Sequence, residues 1–135
     1  MAVLSGSSAC LRFFGDALEP DHLTRLLGSP PTAFERKGAV IVGKVTGRAR
    51  TARTGGWRLR AKRREPSDLD AQISEILDQL TDERRIWRDL TERFSADMFC
   101  GLFTNGSNEG VALSHTTLQR LAWRGLSLDF DIYSV

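Results

Sequence analysis

The sequence is poor in the residues that build metal centres and disulfide frameworks. Its 135 residues include two cysteines and two histidines. Cys10 and Cys100 form no Cys-x-x-Cys motif, and His22 and His115 form no pair at metal spacing, so a zinc site is not indicated. Each histidine sits near a predicted helix start and reads as an exposed helix residue. No apolar run approaches the ~20 residues of a membrane span. The opening MAVLSGSSACLRFFG lacks a charged leader region, and Arg12 interrupts its apolar stretch, so no signal peptide is expected. There is no phosphate-binding glycine loop and no serine in a nucleophile elbow. Gly55-Gly56 reads as a bend before a strand. The expectation is a non-enzyme with no cofactor and no metal. Both cysteines lie in apolar, strand-like surroundings and are expected to be buried thiols, in a reducing cytoplasmic compartment. Asn105-Gly106-Ser107 matches a glycosylation acceptor but, without a secretory signal, reads as turn chemistry.

What is present is charge, unevenly placed. The net charge of +2 implies no partner by itself. From Lys44 to Arg64, however, KVTGRARTARTGGWRLRAKRR holds nine basic residues and no acidic one. The other 114 residues carry ten basic against seventeen acidic side chains. Such segregation shapes the field around the molecule.

Hydrophobic spacing outlines one domain over residues 1–135, with 1–7 expected to be disordered. SACLRFFG (8–15) is rich in strand formers. Pro20 suits a first helical turn, Leu23, Leu26 and Leu27 follow at helical spacing, and Gly28 with Pro30-Pro31 stops a helix over 20–27. A strand of open limits is expected within 34–46, then a flexible basic loop over 47–56. In WRLRAKRR, Trp57, Leu59 and Ala61 alternate with Arg58, Arg60 and Lys62, the period of a half-buried strand. Ser67 with Asp70 resembles a capping box, opening a helix whose apolar stripe is Leu69, Ile73, Ile76, Leu77 and Leu80. Ile86, Trp87, Leu90 and Phe94 continue it, as one bent helix or a second one over 67–94.

SADMFCGLFT (95–104) is apolar on both alternating faces, as in a central strand covered on both sides or one whose second face meets a partner. NGSNEG predicts a hairpin into GVALS. Ser114 then caps a helix with Leu118, Leu121 and Ala122 inward, and Gly125 ends it. The final LSLDFDIYSV alternates, with Leu128, Phe130 and Ile132 expected in the core. The fold class that follows is α+β. It has a mixed, mostly antiparallel sheet with helices mainly on one face, a ferredoxin-like β-α-β-β-α-β core and a β-α-β extension.

Two groups are candidate sites. Asp129 and Asp131 share a strand face. They read as the wet side of a sheet paired with Arg58, Arg60 and Lys62, or as a recognition surface, or as a metal or acid–base pair. Two carboxylates make a poor cage, and no third ligand lies at helpful spacing. The basic segment, with Arg48, Arg50 and Arg53 in its loop, reads as a solvated or internally paired surface, as a site for an acidic protein, or as one for nucleic acid. Specific nucleic-acid readers pair such charge with a groove-filling helix or stacking aromatics, and Trp57, the segment's aromatic, is expected to be buried.

Three stretches resemble a bacterial family catalogued as domain of unknown function 4279. They are LRFFGDALEPDHLTRLLGSPPT, RTARTGGWRL and LQRLAWRGLSLDFDIY. The residues that carry the likeness are Gly15, Leu18, Pro20, Leu23, Leu27 and Gly28; Arg53, Gly55, Trp57 and Leu59; and Leu128 to Tyr133. The centre departs from the pattern, because Arg53 abuts Thr54 directly. The resemblance implies a single small α+β domain and brings no activity with it. By analogy with other small proteins of this type, an immunity-type binding protein acting on a protein partner is the leading expectation. Binding of nucleic acid or an anionic ligand through 44–64 is the alternative, and a small enzyme using the aspartates the lesser one. The oligomeric state stays open.

Overall fold

Local signals place most elements. In the computed structural model, which describes residues 2–106 and 108–134, Pro20 opens the first helix and Gly28 closes it. Gly28 takes φ +90°, a left-handed turn that glycine adopts without strain, and its N–H returns to Thr24 O at 2.9 Å. In chain order the elements are β1 (Ala2–Val3), β2 (Gly6–Gly15), α1 (Pro20–Leu27), β3 (Ala33–Glu35), β4 (Val40–Val42), β5 (Ala49–Thr51) and β6 (Gly55–Arg60). Then follow α2 (Leu69–Leu77), α3 (Arg84–Arg93), β7 (Ser95–Phe103), β8 (Glu109–Gly110), α4 (His115–Trp123) and β9 (Ser127–Tyr133).

Five strands form the main sheet in the order β3-β6-β2-β7-β9. Neighbours are antiparallel except β7 and β9, which run parallel. Register then sorts side chains by face. Leu11 lies opposite Leu59 and Met98, and Phe13 opposite Trp57, on the face where the core forms. The helices cover this face. Trp57 Nε1 donates to Thr24 Oγ1 of α1 at 3.1 Å, and Phe13 packs on Trp87 of α3 with ring centroids 6.2 Å apart. Gln72 of α2 is fully buried, with its amide donating to Ser7 O (2.8 Å) and Lys62 O (2.9 Å) while accepting from Ser7 Oγ (2.6 Å). These bonds meet the polar needs of a buried amide and tie α2 to the sheet.

Residues 67–94 form two helices. Between them Thr81 N–H donates to Leu27 O at 2.8 Å, and Trp87 Nε1 donates to Thr81 O at 2.8 Å. Such anchoring breaks what periodicity would let continue. The α2 cap is Asp68, one residue past the expected Ser67; its carboxylate accepts Ala71 N–H. Asp70 instead accepts Ser114 N–H at 3.0 Å, while Ser114 caps α4.

Several expectations are corrected. Within 1–7, of which Met1 lies outside the described residues, β1 pairs with β8 in parallel, and Leu4 and Ser7 are buried. The expected strand in 34–46 is divided between β3 and β4, and the expected loop over 47–56 contains β5, which folds back on β4 as a hairpin. The strand after β7 pairs with β1 rather than with β7; its connection includes Ser107, which lies outside the described residues. In α4 the inward residues are Thr117 and Leu121, while Leu118 and Ala122 are exposed.

The largest correction concerns β9. Phe130 is 45% and Ile132 66% exposed, and Leu128 is half-buried. Their alternation is strand-like, but β9 is an edge, and burial stops at Leu121 of α4 and at Leu126, just before the strand.

Candidate interaction surface

The sheet face turned away from the helices carries the charges. Two arginines dominate it. Arg12 of β2 donates to both oxygens of Asp97 on β7 at 2.8 and 2.6 Å. Arg58 of β6 donates to both oxygens of Glu35 on β3 at 2.9 and 2.5 Å. Each is a two-pronged pair between adjacent strands, the geometry that the planar guanidinium favours. The Arg12 guanidinium also lies 4.2 Å from the Phe99 ring centroid and 5.4 Å from that of Phe14.

Hydrogen bonding to Arg58 holds the Glu35 carboxyl below its ordinary value, with a smaller contribution from Arg50. Burial pushes Asp97 up, but the hydrogen bonds from Arg12 and Asp129 outweigh it and leave it lowered. Asp129 moves the other way. Its hydrogen bond to Asp97, and then the charge of Asp97, raise it. The two carboxyls therefore lean toward sharing one proton. The partner of Asp129 is thus Asp97, on the neighbouring strand. Asp131 accepts the Tyr133 hydroxyl at 2.6 Å, and Tyr133 stacks on Phe103 with centroids 5.0 Å apart.

The expected pairing of Asp129 and Asp131 with Arg58, Arg60 and Lys62 does not form. β2 and β7 separate β6 from β9. Three strand spacings of ~4.8 Å put these rows about 14 Å apart, beyond the ~8–10 Å over which exposed charges interact in physiological salt. Arg60 stands at the end of β6, and Lys62 N–H donates to Glu75. Arg48, Arg50 and Arg53 lie on or beside β5, in the separate β4–β5 hairpin, where Arg50 and Arg53 line a pocket with Glu35 of β3, away from the aspartates. Of the nine basic side chains in 44–64, Arg58 and Arg63 meet a carboxylate among the described residues. The sheet is therefore polar in a second sense, basic along its β3–β6 side and acidic along β9.

Cys10 lies on this open face, in register with Arg60 and Phe99 and flanked by Arg12 and Arg58. The arginines pull its thiol down, but burial outweighs them and pushes it up. Cys100, on the helix side, is pushed up to about 12 by burial. Both are free thiols, as expected, and neither environment favours a thiolate nucleophile. Among the described residues no group of three metal-ligating side chains converges, and no helix is long and apolar enough to cross a membrane.

Arg12, Asp97 and Glu35 were missed as charged partners. Their signal is present in CLRFF and ADMFC, where one charge occupies a slot of an otherwise apolar strand. The geometry defines a small α+β domain whose helices cover one face of a mostly antiparallel sheet, leaving the other face and one long edge open. Residues 5–135 match the family described as domain of unknown function (DUF4279), and the chain belongs to that family. No curated protein and no solved structure matches it.

Proposed function

We propose that this protein is a non-enzymatic binding protein that engages another protein along β9. The observation that carries the reading is the exposure of Phe130, Ile132 and Tyr133 on a seven-residue edge strand. An edge presents unpaired backbone donors and acceptors that a partner strand can complete. Asp129 and Asp131 on one side of β9, with Phe130 and Ile132 on the other, favour a partner segment that alternates basic and apolar residues. An immunity-type role, with a toxin as that partner, is the form of this reading suggested by analogy with other small proteins. The strand order and the antiparallel pairings of β3, β6, β2 and β7 support describing the core as ferredoxin-like.

The test is capture from the native host at physiological salt with wild-type protein and with Phe130→Lys/Ile132→Lys. The expected result is a protein partner retained by the first and lost by the second. Recovery of no partner, or equal recovery by both, would defeat the proposal.

A second reading has its own observation. Lys44, Arg48, Arg50, Arg53, Arg60, Lys62 and Arg64 have no carboxylate within 4.0 Å among the described residues. This favours an anionic ligand or nucleic acid on the β4–β5 hairpin and the end of β6. Titration with single- and double-stranded DNA and RNA between about 50 and 200 mM salt should then show steeply salt-dependent binding. Salt-independent or absent binding removes this alternative.

A further inference from the structure

Away from the sheet's open face, a cluster of arginines lines the cleft between α3 and the end of α4. Arg124 follows Leu121 by three residues and Thr117 by seven, so it falls on the inward side of α4 and is 5% exposed. Its guanidinium lies 5.4 Å from the Trp87 ring centroid and 5.1 Å from that of Trp123. One Nη donates to Arg120 O at 3.2 Å and the other to Asp82 Oδ1 at 3.1 Å. The Nε–H has no partner, the one buried side-chain polar atom among the described residues so left. A buried charged donor without an acceptor is costly and calls for an explanation.

A half-open cleft of about 160 Å³ lies beside Arg124, lined by Arg84, Arg88, Thr91, Trp123 and Arg124 among others, and by no carboxylate. At ~30 Å³ per water in the liquid, that space matches about five waters, enough for an anion of four oxygens. Arg84 and Arg88 are one turn apart on α3, a like-charge spacing that is unfavourable without a counter-charge. Neither forms an ion pair among the described residues. Gly125 brings the two helices close: its φ is +74°, and a Cβ there would stand 3.2 Å from Thr91 Oγ1. Counting Arg120 with its partner Asp78, and Asp82, the cluster holds four cations against two carboxylates, an excess that suits a dianion.

We infer that the cleft between α3 and α4 binds a phosphate-type oxyanion, gripped by Arg84 and Arg88 and drawn by the buried charge of Arg124, with Trp123 as its apolar wall. Guanidinium forks match the oxygens of such an anion, and the buried charge of Arg124 acts on it with little screening by water. The site is independent of β9, so either reading can fail alone.

Trp123 lines the cleft and is 38% exposed, so its part of the tryptophan emission should change when the cleft is filled. Inorganic phosphate and, separately, phosphoserine are titrated at constant ionic strength set with potassium chloride. The expected result is a saturable emission change and a rise in Tm, with affinity at least tenfold weaker in Arg84→Gln/Arg88→Gln. These arginines are exposed on α3, and circular dichroism checks that the variant keeps its fold. Equal affinities would identify the free anion as sufficient; tighter phosphoserine binding would identify a phosphate carried on a larger molecule. No saturation, an equal response to chloride, or the same curve in the variant would overturn the inference.

Discussion

The two edges of the main sheet are built on opposite plans. The β3 edge is three residues long, follows Pro30-Pro31, and is pinned by the Glu35–Arg58 pair. Short edge strands, prolines and charges are the features that keep sheets from pairing with other chains. The β9 edge is seven residues long and exposes Phe130, Ile132 and Tyr133, with Asp129 and Asp131 as its charges. One edge is closed by local structure. The other is guarded only by carboxylates, and a guard of that kind yields to a partner of opposite charge.

Breaking the closed edge should have the largest effect on stability. Glu35→Gln leaves a mostly buried Arg58 without its counter-charge and should cost about 2–3 kcal/mol. At this chain length that is a fall in Tm of roughly 8 °C, measurable by calorimetry. A double replacement by Glu35→Met/Arg58→Met should recover much of the loss, since the penalty comes from the unpaired charge. Arg12→Met comes next. It removes the cation that holds Asp97 ionised beside Asp129, and about 1–2 kcal/mol should be lost at pH 7.

On the open edge, Phe130→Lys and Ile132→Lys should each move stability by no more than about 0.5 kcal/mol. Chemical denaturation separates this from a core position, where such a change is severe. A large loss at Ile132 would mean that β9 is covered after all.

The smallest effect should be the pH response, and its sign differs between the edges. Asp129 is raised in the folded state, so folding takes up its proton before the unfolded chain does. Its contribution therefore grows as pH falls from neutral toward the ordinary aspartate range. Glu35 is lowered, so its contribution is present above the ordinary glutamate range and fades as pH falls through its folded value. Asp129→Asn should abolish the first response and spare the second. Denaturation curves between about pH 7 and pH 3 would show this, and an unchanged pH profile in the variant would contradict the sharing of a proton with Asp97.

Legibility followed the range of the interaction. α1 was readable to the residue because Pro20, the leucines and Gly28 act within a few positions of one another. The faces of β6 were readable because Trp57 and Leu59 alternate with Arg58 and Arg60 at period two. Arg124 was readable in principle, in phase with Leu121, but a basic residue near a helix end suggests solvent before it suggests the core. The β4–β5 hairpin was not readable, since its arginines and small residues lack the alternation of a half-buried strand.

For β9 the sequence by itself determined a strand with Leu128, Phe130 and Ile132 on one side and the aspartates on the other, because alternation is a property of the extended backbone alone. Only the tertiary structure decided that this strand is an edge, that Asp129 meets Asp97 instead of arginine, and that Phe130 and Ile132 reach solvent. Burial and pairing depend on which strand lies alongside and where the helices end, and the strand alongside, β7, comes from residues thirty positions earlier.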